Sequence, residues 1–91
     1  MFHVLTITYL QPSDVVAEQR PAHVEWVKAH VDAGNLILAG RLESGDGGIL
    51  ITGDISEEAA DEMTAADPYV VAGLVRYDRS SFAATIRGAG L

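Results

Sequence analysis

The feature that most constrains this chain is a hairpin at its centre. Leu36-Ile-Leu-Ala-Gly-Arg-Leu42 and Gly48-Ile-Leu-Ile-Thr52 are short, largely apolar runs that read as strands. They are separated by Glu43-Ser-Gly-Asp-Gly-Gly48, a glycine-rich stretch suited to a tight turn. The hairpin divides the rest of the chain into two arms, and each arm reads as carrying one further strand. At 91 residues the chain is one domain, with a core expected over about 1–86 and a short tail at 87–91. A domain of this size buries only about two-thirds of its unfolded surface, so association with a second copy would add stability.

The first arm begins with Phe2-His-Val-Leu-Thr-Ile-Thr-Tyr9, read as a strand. Alternation places Phe2, Val4, Thr6 and Thr8 on one face and His3, Leu5, Ile7 and Tyr9 on the other. Both faces are largely apolar, so one is expected under helices and the other against a partner subunit. Gln11-Pro-Ser-Asp14 is turn chemistry, and Val15 to Gln19 fits either one helical turn or a loop. Pro21 then suits the start of a helix running to about Ala33, ended by Gly34-Asn35. Its periodicity groups His23, Val24, Val27, His30 and Val31 on one arc, joined by Arg20 if the helix starts earlier. Glu25, Lys28 and Asp32 fall opposite, and Trp26 lies at the edge of the buried arc. The strand at 36–42, apolar on both sides, is expected to be central or covered.

The second arm opens at Ser56, a natural N-cap with Glu57 and Glu58 in the first turn, and packs through Ala59, Ala60 and Met63. Pro68 disfavours helix at Asp67, so this helix ends by Ala66. Pro68 to Ala72 then fits a further turn closed by Gly73. Leu74 to Tyr77 is the last strand, with Ser81 to Ile86 extending it or forming an arm. The order β-α-β-β-α-β with right-handed crossovers is that of a ferredoxin-like α+β fold with a four-stranded antiparallel sheet. One sheet face is left open by the helices, and two such faces packed together make a dimeric α/β barrel, so a homodimer is expected.

Composition removes several functions. With 13 acidic and 6 basic residues the net charge is −7, which leaves no basic footprint for nucleic acid or an anionic membrane surface. No apolar run approaches the ~20 residues that span a bilayer. Met1-Phe-His-Val4 carries no basic lead or cleavage signal, and cysteine is absent, so a cytoplasmic location is expected. Neither a nucleophile elbow nor a dinucleotide fingerprint is present. The glycine-rich turn joins strand to strand, where a phosphate loop would join strand to helix. His23 and His30 are two turns apart, ~10 Å along the axis, too far to share a metal ion. Neither a metal nor a cofactor is expected.

The candidate chemistry lies at two helix ends. His23 is suited to proton transfer near neutral pH, and also to a half-buried helix position bonded to a carbonyl. Asp67 is suited to orient His23 and fix its tautomer, and equally to cap the turn at Pro68. The two roles are expected to use different carboxylate oxygens. Arg20 and Arg41 are candidates to bind an anion, Arg41 because a charge on an apolar strand needs a partner. Tyr69 and Tyr77 fit either pocket hydrogen-bond donors or core residues.

These residues sit in segments that resemble the YciI-like (YCII-related) family. The matching stretches are Arg20-Pro21-Ala22-His23, Asp32-Ala33-Gly34-Asn35-Leu36, Leu38-Ala39-Gly40 and Ala65-Ala66-Asp67-Pro68-Tyr69-Val70-Val71-Ala72-Gly73-Leu74, covering about Met1 to Phe82. The resemblance implies a ferredoxin-like fold paired as a dimeric barrel and a catalytic His–Asp pair at His23 and Asp67. The loop between Gly40 and Gly48 is shorter than in many members, so pocket shape does not transfer. The leading expectation is a cofactor-independent isomerase or lyase. His23 and Asp67 would be catalytic, and Arg20, Arg41 and Tyr69 would bind a small anionic, ring-derived substrate. The alternative is a non-catalytic dimeric ligand-binding or regulatory module. A cofactor-free oxygenase is the weakest reading, because only 7% of residues are aromatic.

Overall fold

The computed structural model describes residues 1–91. Eight elements follow in order: β1 (Phe2–Tyr9), α1 (Ser13–Ala17), α2 (Arg20–Asp32), β2 (Leu36–Arg41), β3 (Gly47–Thr52), α3 (Glu57–Ala65), α4 (Pro68–Val71) and β4 (Val75–Phe82). The four strands form one antiparallel sheet in the order β2-β3-β1-β4, the ferredoxin-like arrangement. No helix is long and apolar enough to cross a membrane.

The alternation in β1 sets the layers. His3, Leu5 and Ile7 are buried, while Phe2, Val4, Thr6 and Thr8 on the opposite face are half-buried. Leu5 and Ile7 meet Val16 of α1, Leu36, Leu50, Met63 of α3, Tyr69 of α4, Leu74 and Val75 in one core. The helices therefore cover a single face of the sheet. On the uncovered face, register places Leu38, Ile51 and Val4 side by side, with Ile49 and Thr6 in the next row. Phe2 stacks on Phe82 at 6.0 Å on the same face.

The helix boundaries follow local chemistry. Ser56 Oγ accepts the Ala59 N–H at 3.0 Å at the start of α3. The end of α2 is closed by Gly34 at φ +82°, with Asn35 N–H donating to the His30 carbonyl and Gly34 N–H to that of Val31. The end of α4 repeats this at Gly73, where Leu74 N–H reaches the Tyr69 carbonyl. Both are Schellman closures, which require a left-handed residue that glycine adopts without strain.

Three sequence-based expectations need correction. First, β2 is an edge strand, and Leu36 is its one buried residue; Leu38 is 62% exposed. Its outward residues border the uncovered sheet face, and Ala39 and Arg41 on its inward side border a cavity. An apolar pattern on both sides thus reflects two unfilled surfaces, not a central position. Second, the inner arc of α2 is rotated from the expected one. Trp26 and Val27 pack against the core, whereas Val24 and Val31 are exposed. The flank of α2 that carries Val24 lines a cavity over the sheet instead of packing on it. Third, that flank brings Lys28, expected on the solvent side, to the cavity wall.

Candidate functional site

Asp67 is the centre of the site. Its position before Pro68 holds it in extended backbone between α3 and α4, where it becomes the N-cap of α4. It has no exposed surface. Oδ1 accepts the Tyr69 N–H at 3.0 Å and also faces His23 Nδ1 at 2.8 Å. Oδ2 accepts the Tyr77 hydroxyl at 2.5 Å. The capping and orienting roles therefore share one oxygen, contrary to expectation, because the second oxygen is taken by Tyr77. Three donors converge on one buried carboxylate, which is how such a group is accommodated without water.

A carboxylate only accepts, so Nδ1 of His23 carries the proton of this hydrogen bond and Nε2 presents its lone pair. Nε2 has no protein partner, and His23 lines a cavity of about 320 Å³. The imidazole lies flat on the Tyr69 ring, with centroids 4.0 Å apart and planes 8° apart. Trp26 flanks it at 5.7 Å. Packing by the two rings and the bond to Asp67 fix the ring plane as well as the tautomer. Burial, and then the charge of Asp67, push the Tyr77 phenol far above its ordinary range, so it remains a donor. Burial also raises the Tyr69 phenol, partly offset by Arg20.

The sheet explains why a cavity exists here. Register aligns Arg41, Gly48, Ile7 and Tyr77 in one inward-facing row, and Ala39, Leu50 and Leu5 in the next. Gly48 and Ala39 leave the floor thin beneath α2, so the space is not filled. Arg41 enters from the floor; Arg20 and Lys28 enter from the helix. Arg20 makes a long 3.4 Å contact with the Tyr9 hydroxyl.

The structure thus brings His23 and Asp67 into direct contact and places Arg20, Arg41 and Tyr69 around the cavity that His23 lines. Asp67 stands behind His23. Sequence reasoning missed Tyr9 and Lys28 and left Tyr77 undecided between pocket and core. Arg20, Val24 and Lys28 recur at i, i+4 and i+8, a stripe that could have flagged Lys28 once α2 was started at Arg20. The other histidines serve the fold. Nε2–H of buried His3 donates to the Ile55 carbonyl at 2.9 Å, so Nδ1 accepts from Ser81 Oγ–H at 2.7 Å. Asn35 Nδ2 donates to His30 Nδ1 at 3.1 Å. No group of three or more His, Asp and Glu side chains is gathered as a metal site.

Comparison with known proteins gives three results. The family described as "YCII-related domain" matches residues 1–79. A curated "12 kDa protein" from Mycolicibacterium smegmatis is 75% identical over 24 residues, which are 26% of this chain and all of that sequence. A solved structure of 5-chloro-2-hydroxyhydroquinone dehydrochlorinase (TftG) from Burkholderia phenoliruptrix AC1100, in complex with 2,5-dihydroxybenzoquinone, superposes with a TM-score of 0.74. It is 18% identical, and the match covers 91% of this chain and 94% of that one, so the two share a fold.

Proposed function

This chain belongs to the YCII-related domain family, and we propose that it is a cofactor-independent enzyme that moves a proton on a small anionic substrate. The observation that carries the reading is the Asp67–His23 hydrogen bond, which leaves Nε2 as a free base at a cavity lined by cations. Nε2 takes a proton from a carbon activated by an adjacent carbonyl or ring. Asp67 balances the imidazolium that forms and holds its plane. Arg20 and Arg41 bind the substrate anion and the negative charge that develops on deprotonation, and Tyr69 supports the imidazole from below. The proton then returns to a second carbon in an isomerisation. In an elimination it stays on Nε2 while a leaving group departs with its bonding pair. The dehydrochlorinase with the same fold is named for an elimination from a ring, which favours a ring-derived substrate here. The apolar uncovered sheet face is the surface on which a second copy would pack to form a homodimer.

The reading is tested by proton exchange, which needs no knowledge of the natural substrate. A panel of small anionic cyclic ketones and hydroxyquinones is incubated with the protein in D₂O and followed by ¹H NMR. Catalysed exchange at a carbon acid is expected with at least one of them. The His23→Ala and Asp67→Asn variants should each lose about 10²-fold or more of that rate. Saturable binding without exchange across the panel would instead identify a binding or regulatory module.

A further inference from the structure

The charges of this chain are segregated in an unusual way. It has 13 acidic side chains and 6 basic ones. Three of the six, Arg76, Arg79 and Arg87, lie outside the cavity, and each has a carboxylate within 4.0 Å: Asp78 at 3.3 Å, Asp61 at 3.0 Å and Asp54 at 4.0 Å. The other three, Arg20, Lys28 and Arg41, all line the cavity, and none has a carboxylate within that distance. No acidic residue lines the cavity at all. Asp67, the acid behind it, is screened by His23 and occupied by three donors. In a chain with more than twice as many acids as bases, the cations without counter-charges are collected at one place.

Their spacing limits what can neutralise them. Arg20 and Lys28 are eight residues apart on α2, so their Cα atoms are separated by about 12 Å along the axis. Arg41 comes from the sheet floor. A single carboxylate cannot pair with all three, and a second anionic group removes the residual charge. Ile7, Val27 and Leu50 supply an apolar wall. We infer that the ligand of this cavity carries two anionic groups, carboxylate or phosphate, on a compact apolar skeleton. One group is held by Arg20, a turn from His23, and the other by Lys28 with Arg41. Lys28 is then a residue that determines specificity. The inference rests on reading this cavity as the substrate site, and it extends that reading from an anion to a dianion.

Benzoate and benzene-1,4-dicarboxylate, which share a ring and differ in one carboxylate, test it by calorimetric titration at pH 7.5 and low salt. The dicarboxylate is expected to bind about tenfold tighter, the combined gain of pairing its second carboxylate with two cations. The net charge of −7 repels a dianion more than a monoanion, so a preference for the dianion must come from local cations. The Lys28→Gln/Arg41→Gln double variant should bring the dicarboxylate to the benzoate level. Both positions are exposed, and an unchanged circular dichroism melt controls for folding. Equal affinities in the parent chain, failure of both probes to bind, or a preference that survives the double variant would overturn the inference. Proton exchange is a separate measurement. Exchange without dianion preference leaves the proposed chemistry standing alone, and dianion preference without exchange leaves the binding inference standing alone.

Discussion

Asp67 shows how much one side chain can be asked to hold. It ends the α3–α4 connection, caps α4, orients His23 and anchors Tyr77 of β4. Tyr77 gives this arrangement a measurable signature. Its phenol is raised by burial and then by the Asp67 charge. A group whose pKa is raised on folding contributes stability that is complete below its unfolded value, about 10 for tyrosine, and is lost as pH rises beyond it. The parent chain should therefore lose stability above about pH 10, read as a falling urea midpoint. Tyr77→Phe should lower the unfolding free energy at pH 8 by roughly 1 kcal/mol and flatten the decline of the midpoint at alkaline pH. An identical alkaline slope in both proteins would show that Tyr77 is not the titrating group. His23 and Asp67 were legible as candidates because each lies at a helix end within a motif of the family, Arg20-Pro21-Ala22-His23 and Asp67-Pro68-Tyr69. Tyr77 was not, because a tyrosine on a half-buried strand looks the same whether its hydroxyl meets water or a buried carboxylate.

At the level of elements, the central hairpin controls the floor of the cavity. The turn itself uses Gly45 at φ +80°, with Leu42 N–H donating to the Gly47 carbonyl at 2.9 Å. Gly47 has a different constraint. A Cβ placed there would lie 2.1 Å from the Ile7 carbonyl oxygen, a backbone atom that cannot move aside. Gly47→Ala should push β3 away from β1 and cost roughly 1–3 kcal/mol in a urea titration. Gly40→Ala, where a Cβ meets nothing within 4 Å, should cost far less and serves as the control. The glycine-rich turn was evident from composition, but Gly47 and Gly45 look equivalent in the sequence. What separates them is how closely β1 approaches, which is a property of the assembled sheet. The same limit explains the misplacement of β2. Hydrophobic alternation reports that a face is apolar, not whether a neighbouring strand, a cavity or a second molecule lies against it.

For the molecule as a whole, the sheet face opposite the helices is an apolar surface open to solvent. Leu38 and Phe82 are 62% and 45% exposed on it, and Ile49, Ile51 and Val4 lie between them. A contiguous apolar surface of this kind is costly to leave in water. Light scattering coupled to size exclusion should give twice the chain mass at micromolar concentration. Leu38→Lys combined with Ile51→Lys should give a monomer with a lower melting temperature that no longer rises with protein concentration. A parent chain that elutes as a monomer would refute the homodimer.

The order of elements and the helix ends were readable from local physics: alternation, helical period, a serine cap, and the restrictions of proline and glycine. His23 and Asp67 were set apart from ordinary helix-end residues by the family motifs around them. Only the assembled fold puts β2 at the sheet edge, leaves Val24 and Val31 of α2 out of the core, and brings Lys28 and Tyr9 to the cavity. It also decided that one oxygen of Asp67 serves two roles because Tyr77 takes the other. These outcomes follow from contacts between residues up to dozens of positions apart, whose geometry is set only when the sheet closes beneath the helices.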